Sequence, residues 1–134
     1  MPALHRLAGH SATRLLSLAL AVFWMGVLYQ LSDQPAIDAP LLFPGQDKLF
    51  HAIVYAVLGG LYLGLFRPGP AAGYAMQARW LALVLAVLYG ISDEWHQSFV
   101  PGREPDVLDV LADGVGAAVG ILLLHVLVKR FSRQ

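Results

Sequence analysis

The chain of 134 residues has no cysteine and a formal net charge of zero, with 57% hydrophobic and 13% charged residues. Soluble domains carry roughly a quarter charged residues, so this composition indicates that lipid is the solvent. The length predicts a single domain over residues 1–134, the neutral charge argues against nucleic-acid binding, and the lack of cysteine excludes disulfides and thiolate metal sites.

The first apolar segment predicts a membrane helix at about 14–31. Leu15–Leu31 reads "LLSLALAVFWMGVLYQL" and is preceded by Arg6 and Arg14, as in a secretory signal peptide. The segment is long for a signal peptide, and no clean small-x-small cleavage site follows it. We therefore interpret it as a retained helix.

Two further apolar segments predict helices at about 47–66 and 106–129. Each is long enough to cross a bilayer core of about 30 Å. The remaining segment, Trp80–Ser92, has 13 residues and would span roughly 20 Å. We therefore predict a longer helix at about 76–97, which would place "DEWHQ" at or just inside the membrane interface.

Prolines and glycines mark the three connections between these helices. The connections contain "SDQPAIDAPLLFPGQ", "RPGPAAGYAMQAR" and "SFVPGREPD", and proline cannot continue a helix. In the last connection, Pro101-Gly102 predicts a turn and Pro105 predicts the start of the final helix.

The charges predict the orientation of an antiparallel bundle of four transmembrane helices. Most basic residues fall on the side that carries both termini, whereas Lys48, Arg103 and the acids fall in or near the other half. The positive-inside rule then predicts a multi-pass protein of the cytoplasmic (inner) membrane with both termini in the cytoplasm. Its polar residues would face the periplasm or the cell exterior. The basic residues on the cytoplasmic side are Arg6, Arg14, Arg67, Arg79, Lys129, Arg130 and Arg133.

Three of the predicted helices each carry a polar stripe along one face, given about 100° of rotation per residue. Charged groups inside a membrane face the bundle interior or a water-filled cavity, so we expect the stripes to meet. They comprise Asp47, His51, Tyr55 and Tyr62 in the second helix, Asp93, Glu94 and Gln97 in the third, and Asp106, Asp109, Asp113, Gly116 and Gly120 in the fourth.

Two carboxylates on one face of the last helix, Asp109 and Asp113, need a cation between them or a shared proton. Lys48, Arg103 and His51 are the available positive partners. A divalent metal held by His51 and carboxylates is an alternative. Because the sequence contains no tight histidine pair such as HxxxH, we assign no metal ligand and no cofactor from it.

Glycine spacings predict where helices approach each other closely. Gly60-x-x-x-Gly64 and Gly116-x-x-x-Gly120 are both small-xxx-small patterns. The first pair lies away from the polar stripe of its helix, and we expect it to pack against another helix, with the first helix as the candidate. The second pair continues a polar face inward, where we expect backbone contact below the polar site.

The order of "DKLFHAIVYAVLG" and "DEWHQSFVPGREPDVLDVLADGVGAAVG" resembles the VanZ-like family of small bacterial membrane proteins. The family pattern is Asp-Lys-x-x-His, then Glu-x-x-Gln, an Arg, and Asp-x-x-x-Asn before a glycine-rich stretch. One position departs from it, because the usual Asn is an Asp here. The matching residues are Asp47, Lys48, His51, Glu94, Gln97, Arg103, Asp109 and Asp113.

The resemblance implies a fold and a location more than a reaction. The founding member of the family is associated with low-level teicoplanin resistance. Our first hypothesis is an enzyme acting on a lipid-linked or anionic envelope substrate, with His51, Glu94, Asp109 and Asp113 as catalytic candidates. Asp47, Lys48, Gln97 and Arg103 would then bind the substrate, the two cations holding an anionic group.

Three other hypotheses remain open. The protein could bind an envelope lipid, glycopolymer or glycopeptide without turnover, or its polar network could serve mainly to fix the helix register. A proton-linked transporter built as a homo-oligomer ranks last, because the cytoplasmic half of the second to fourth helices has one titratable group that could continue a relay, His125.

Overall fold

The computed structural model describes residues 2–35, 42–66 and 74–131, and within residues 2–10 it describes the backbone alone. Four helices account for most of these residues, and no strand occurs among them. The structure therefore confirms an all-α fold. Arg6, Arg67, Arg133 and Asp38, which enter the predicted charge distribution, lie outside the described residues or side chains.

The helices are α1 (Pro2–Ser32), α2 (Gln46–Leu65), α3 (Met76–Gln97) and α4 (Val107–Phe131). The bounds of α3 match the prediction, and those of α2 and α4 differ from it by one or two residues. Helix α1 begins well before the predicted residue 14. The prediction followed the apolar residues and therefore left out the polar N-terminal turns. These turns still favour a helix, with Pro2 at its first position, where proline is tolerated.

Within the described residues, three helical segments are long and apolar enough to cross a membrane: Ser11–Ser32 of α1, together with α2 and α4. Helix α3 is not among them, because polar residues at both of its ends, from Gln77 and Arg79 to Asp93 and Glu94, lower its hydropathy. Large apolar side chains cover much of the outer surface, including Phe23, Leu111 and Trp95, which are 67%, 60% and 69% exposed. Such a surface fits lipid as the surrounding solvent.

Contacts between the helices define an up-down-up-down order. Lys48 reaches the first turn of α4, and Ala52 and Ala56 lie against Gly116 and Gly120 one and two turns further along. Helices α2 and α4 therefore run parallel. Helix α1 runs antiparallel to α2, since Gly64 near the end of α2 lies against Ser17 while the Trp24 indole N–H donates to the Val54 carbonyl at 2.9 Å.

Helices α2 and α4 touch backbone to backbone through glycine. A Cβ atom on Gly116 or Gly120 would collide with the carbonyl groups of Ala52 or Ala56, and one on Gly59 would lie 2.6 Å from the Ala117 oxygen. The predicted close approach at Gly116 and Gly120 is thus confirmed. Small residues allow such contact where lipid supplies no hydrophobic drive for association.

The other predicted glycine pair divides its contacts between two helices. A Cβ atom on Gly64 would meet Ser17 of α1, which confirms the first helix as a neighbour of this face. Gly60 instead points toward α4, where the Gly120 oxygen would lie 3.9 Å from an added Cβ.

Candidate functional site

The polar stripes of the three helices meet at one end of the bundle. Asp47, Lys48 and His51 lie in the first turns of α2, and Trp95 points away from the site with 69% of its surface exposed. The predicted meeting of the stripes is therefore confirmed. The charged and amide side chains buried there are Asp93, Glu94, Gln97, Asp109 and Asp113.

Lys48 is the centre of an ion-pair network. Its ammonium lies 2.9 Å from Asp47, 2.8 Å from Asp106 and 3.0 Å from Asp109. An ammonium has three N–H groups, so each of them is engaged by a carboxylate. Lys48 therefore holds this end of α2 against α4. It has little donor capacity left to bind the anionic group of a substrate, the role predicted for it from the sequence.

Asp106, which we did not select as a site residue, connects three parts of the site. Its Oδ1 accepts the N–H of Leu108 at 2.8 Å and so caps α4, while its own N–H donates to Glu94 Oε2 at 2.8 Å. The Lys48 ammonium and the Leu108 N–H hold the pKa of the Asp106 carboxyl below its ordinary value. Its position one residue before an apolar helix was the signal for this role.

His51 is oriented by Asp113. Nδ1 of His51 lies 2.9 Å from Oδ1 of Asp113, and an ionised carboxylate accepts hydrogen bonds but donates none. With Asp113 ionised, Nδ1 carries the hydrogen and donates it, which leaves Nε2 free, 4.0 Å from Asp109 Oδ2. Asp113 is thus the carboxylate that orients the His51 ring, whereas Asp109 faces the other ring nitrogen.

A glycine in α3 makes room for this carboxylate. Asp113 is 0% exposed, and a Cβ atom on Gly90 would lie 2.6 Å from its Oδ2. This contact could not be predicted from the sequence, because Gly90 lies in an apolar stretch and its partner Asp113 is far along the chain.

Arg103 reaches the site from the last connection. Pro101 and Gly102 form the predicted turn, in which the Arg103 N–H donates to the Val100 carbonyl at 3.1 Å and Gly102 has φ 77°, a value that favours glycine. The Arg103 side chain donates to the carbonyls of Gln34 and Leu31 at the end of α1. It forms no salt bridge with any described residue, so its positive charge is not neutralised there.

A cavity of about 560 Å³ opens beside these groups. One part of its wall is apolar, with Leu28, Phe50 and Val54 among its residues. The polar part contains most of the predicted substrate-binding residues and one catalytic candidate. These are Asp47, His51, Gln97 and Arg103, joined by Asp93, whose carboxylate accepts a hydrogen bond from Gln97 at 3.3 Å.

Three residues from three helices approach one another closely enough to share a metal ion. His51, Glu94 and Asp109 each offer one ligand atom, and these atoms lie within 4.8 Å of one another. No short sequence motif could have revealed this set, because its members lie in α2, α3 and α4. Among the remaining candidates, Lys48 contacts Asp109 and Asp113 contacts His51. The others, Asp47, Gln97 and Arg103, line the cavity next to the set.

These observations define a helical membrane protein with a polar pocket between its helices. Residues 10–128 match the model of the VanZ/LLP1 family, so the chain belongs to that family, as the spacing of its polar residues had indicated. The search of curated proteins found no match, and neither did the search of solved structures.

Proposed function

We propose that this VanZ/LLP1 family protein binds a lipid-linked, anionic molecule of the bacterial cell envelope in the pocket and acts on it. The observation that carries this proposal is the mixed wall of the cavity. Leu28 and Phe50 line one side, while His51, Gln97 and Arg103 line the other. Ligand pockets combine apolar walls with a few placed polar groups, and a lipid-linked head group needs both.

Arg103 is the group best placed to hold the anion. Arg103 lines the cavity, and the described partners of its guanidinium are two neutral carbonyls, so its charge is available for a ligand. A guanidinium also binds phosphate or carboxylate oxygens through two parallel N–H groups. Lys48, by contrast, is shared among three carboxylates.

His51 and Glu94 are the groups that would carry out acid–base chemistry. Asp113 fixes the ring of His51 and leaves Nε2 free, the arrangement that a histidine general base uses. Glu94 is buried beside it, with one carboxylate oxygen free of hydrogen bonds from the described residues. The enzyme hypothesis rests on this pair, with Asp109 and Asp113 as the carboxylates around it.

The membrane arrangement belongs to the same proposal. All four helices would cross the cytoplasmic membrane with both termini in the cytoplasm and the pocket open to the periplasm or the exterior. The positive-inside rule supports it, and α3 is 22 residues long, enough to cross a bilayer core. Single cysteines at Ser98 and Ser11 would test it, because an impermeant maleimide should label the first from outside and leave the second unlabelled.

Native mass spectrometry of the protein released from mild detergent is the direct test of ligand binding. The wild type should retain an anionic lipid that Arg103→Ala loses, while Arg130→Ala, a matched change near the other end of the bundle, should retain it. Equal lipid retention by Arg103→Ala and Arg130→Ala would contradict the assignment of Arg103.

The second candidate function is binding without turnover, in which the network of Lys48 and its carboxylates is mainly structural. It is favoured by the full use of the Lys48 ammonium inside the protein. His51→Gln separates the two functions, since a binder would retain its lipid and its cellular effect, whereas an enzyme would retain the lipid and lose the effect. Glycopeptide susceptibility of the teicoplanin type is the cellular effect to measure first.

A further inference from the structure

We infer that His51, Glu94 and Asp109 form a binding site for one divalent transition-metal ion, with Zn²⁺ and Mn²⁺ as the fitting ions. The inference concerns the same site as the proposed function, because His51 also lines the cavity. With the ion bound, His51 and Glu94 are ligands rather than a general acid and base, and the acid–base roles proposed above belong to the metal-free protein. The inference concerns the ion alone and requires neither a bound substrate nor turnover.

The distances between the three side chains fit a shared ion. The Nε2 atom of His51 and the Oδ2 atom of Asp109 are 4.0 Å apart, and all three ligand atoms lie within 4.8 Å of one another. Metal–nitrogen and metal–oxygen bonds of about 2.0–2.2 Å place two ligands of one ion at most roughly 4.4 Å apart. A small rotation of the side chains therefore completes the site.

The hydrogen bond from His51 to Asp113 prepares the ring for metal binding. Histidines that bind metals usually donate their second ring N–H to a carboxylate or carbonyl, which fixes the tautomer and raises the basicity of the ligand nitrogen. His51 Nδ1 makes this contact with Asp113 at 2.9 Å. The other nitrogen, Nε2, is the one that lies near Asp109.

Each carboxylate of the set also has an oxygen left over. Glu94 is 6% exposed, and while its Oε2 accepts the Asp106 N–H, its Oε1 is buried and has no partner among the described residues. A buried carboxylate oxygen without a partner is costly. Asp109 likewise uses Oδ1 for Lys48, leaving Oδ2 on the side of His51.

The charge and the type of ligand favour a divalent transition metal. The carboxylates of Asp47, Asp106 and Asp109 share one lysine, Lys48. Glu94, which accepts the Asp106 N–H, forms no salt bridge with a described residue. One imidazole and two carboxylates suit Zn²⁺ or Mn²⁺, whereas Mg²⁺ prefers oxygen ligands alone. Three protein ligands leave coordination positions open for a further ligand.

The test is a titration of chelator-treated wild-type protein with Zn²⁺ in mild detergent, with bound metal measured by equilibrium dialysis. We expect one ion per chain. Glu94→Gln should weaken binding by more than about 100-fold, and Asp113→Asn, which alters the support of the ring, by about 10- to 100-fold. Glu104→Gln is the matched control at an exposed position in the neighbouring connection and should bind as the wild type does.

Absence of stoichiometric binding by the wild type would overturn the inference, as would equal affinities of Glu94→Gln and Glu104→Gln. Pulsed EPR of Mn²⁺ bound to the wild type adds a measurement that does not depend on the folding of a variant. It should show coupling to an imidazole nitrogen, and a spectrum without this coupling would refute ligation by His51.

The two proposals can fail separately. In one case the lipid-free protein binds the metal, but Arg103→Ala retains lipid as well as the wild type does. This pair of results would support the metal site and refute the proposed ligand site. The opposite pair of results would leave an anion-binding pocket that works without a metal.

Discussion

The contact between α2 and α4 changes its character along its length. At the end where both helices begin, it consists of charged side chains, with Lys48 between Asp106 and Asp109 and with His51 against Asp113. One turn further along, it consists of backbone, with Gly116 against Ala52 and then Gly120 against Ala56.

The difference shows how a small membrane bundle can keep a polar pocket in place. Helices in lipid gain little from the hydrophobic effect when they associate, so close van der Waals packing of small residues holds them together instead. Because glycine contacts fix the spacing of α2 and α4, the polar side chains next to them are held at defined distances. Charged residues are then not needed to hold the helices together, a use for which their burial in the membrane would be costly. They can serve the pocket instead.

The largest expected effect comes from adding one methyl group to the glycine region. In Gly120→Ala the new Cβ would collide with the Ala56 backbone, so α2 and α4 must separate. We expect a loss of about 3 kcal/mol in the free energy of unfolding, at the upper end of the usual cost of overpacking. Unfolding by a denaturing detergent in mixed micelles would measure it.

Gly60→Ala is the matched control, because its Cβ would meet the Gly120 oxygen at 3.9 Å, an ordinary contact. We expect its stability to stay within about 0.5 kcal/mol of the wild type. If both variants proved equally stable, the backbone contact could not be what sets the helix spacing.

The next effect concerns the polar region and compares two histidine–aspartate pairs. Asp113→Ala removes a fully buried partner of His51 and leaves a ring N–H unpaired, which we expect to cost about 1–3 kcal/mol. Asp33→Ala removes a similar contact to His96 at 3.0 Å, in which the carboxylate is 50% exposed, and should cost less than about 1 kcal/mol.

The same unfolding assay compares these variants with Asp113→Asn. The amide oxygen of Asn can still accept the hydrogen bond of His51, so this variant should lie close to the wild type. Equal losses for Asp113→Ala and Asp33→Ala would mean that burial adds nothing to the first pair.

These comparisons also show why some parts of the site could be predicted and others could not. The apolar spans and the periodic polar stripes are local patterns, so the four helices and the meeting of Asp93, Glu94 and Gln97 with the other stripes followed from the sequence. The choice of partners did not, because Lys48 could pair with any of several carboxylates. Pairing of His51 with Asp113 depends on the register of α2 against α4, which the contact of Gly116 with Ala52 one turn further along sets.

A smaller effect should depend on pH. Asp106→Asn keeps the helix cap, because Asn caps helices as well as Asp does, but it removes the charge that Lys48 contacts. The pKa of Asp106 in the folded protein lies below its ordinary value of 3.8. The contribution of its charge to stability is therefore present above that value and is lost as the pH falls through the folded pKa.

We expect Asp106→Asn to melt a few degrees below the wild type at pH 7, less than the fall for Asp113→Ala, because Asp106 is partly exposed. The difference in melting temperature should stay constant down to about pH 5 and shrink below about pH 4. Glu104→Gln should show no such trend. A difference that grew on acidification would mean that the pair with Lys48 is not its source.

The smallest expected effect lies at the border of the two regions. Tyr55 is 1% exposed, its ring stacks near His51 with centroids 6.4 Å apart, and its hydroxyl has no hydrogen-bond partner among the described residues. Removing an unpaired buried hydroxyl relieves a desolvation cost, so Tyr55→Phe should leave stability unchanged or raise it by up to about 1 kcal/mol.

Tyr89→Phe is the comparison, because the Tyr89 hydroxyl donates to the Met25 carbonyl at 2.7 Å and its loss should cost about 1 kcal/mol. Melting of both variants in detergent, with and without added Zn²⁺, would measure the contrast. If Tyr55→Phe lost as much as Tyr89→Phe, its hydroxyl would have a partner in the cavity. Tyr55, which lines that cavity, would then belong to the binding site, and the polar region would extend one turn deeper toward the glycines.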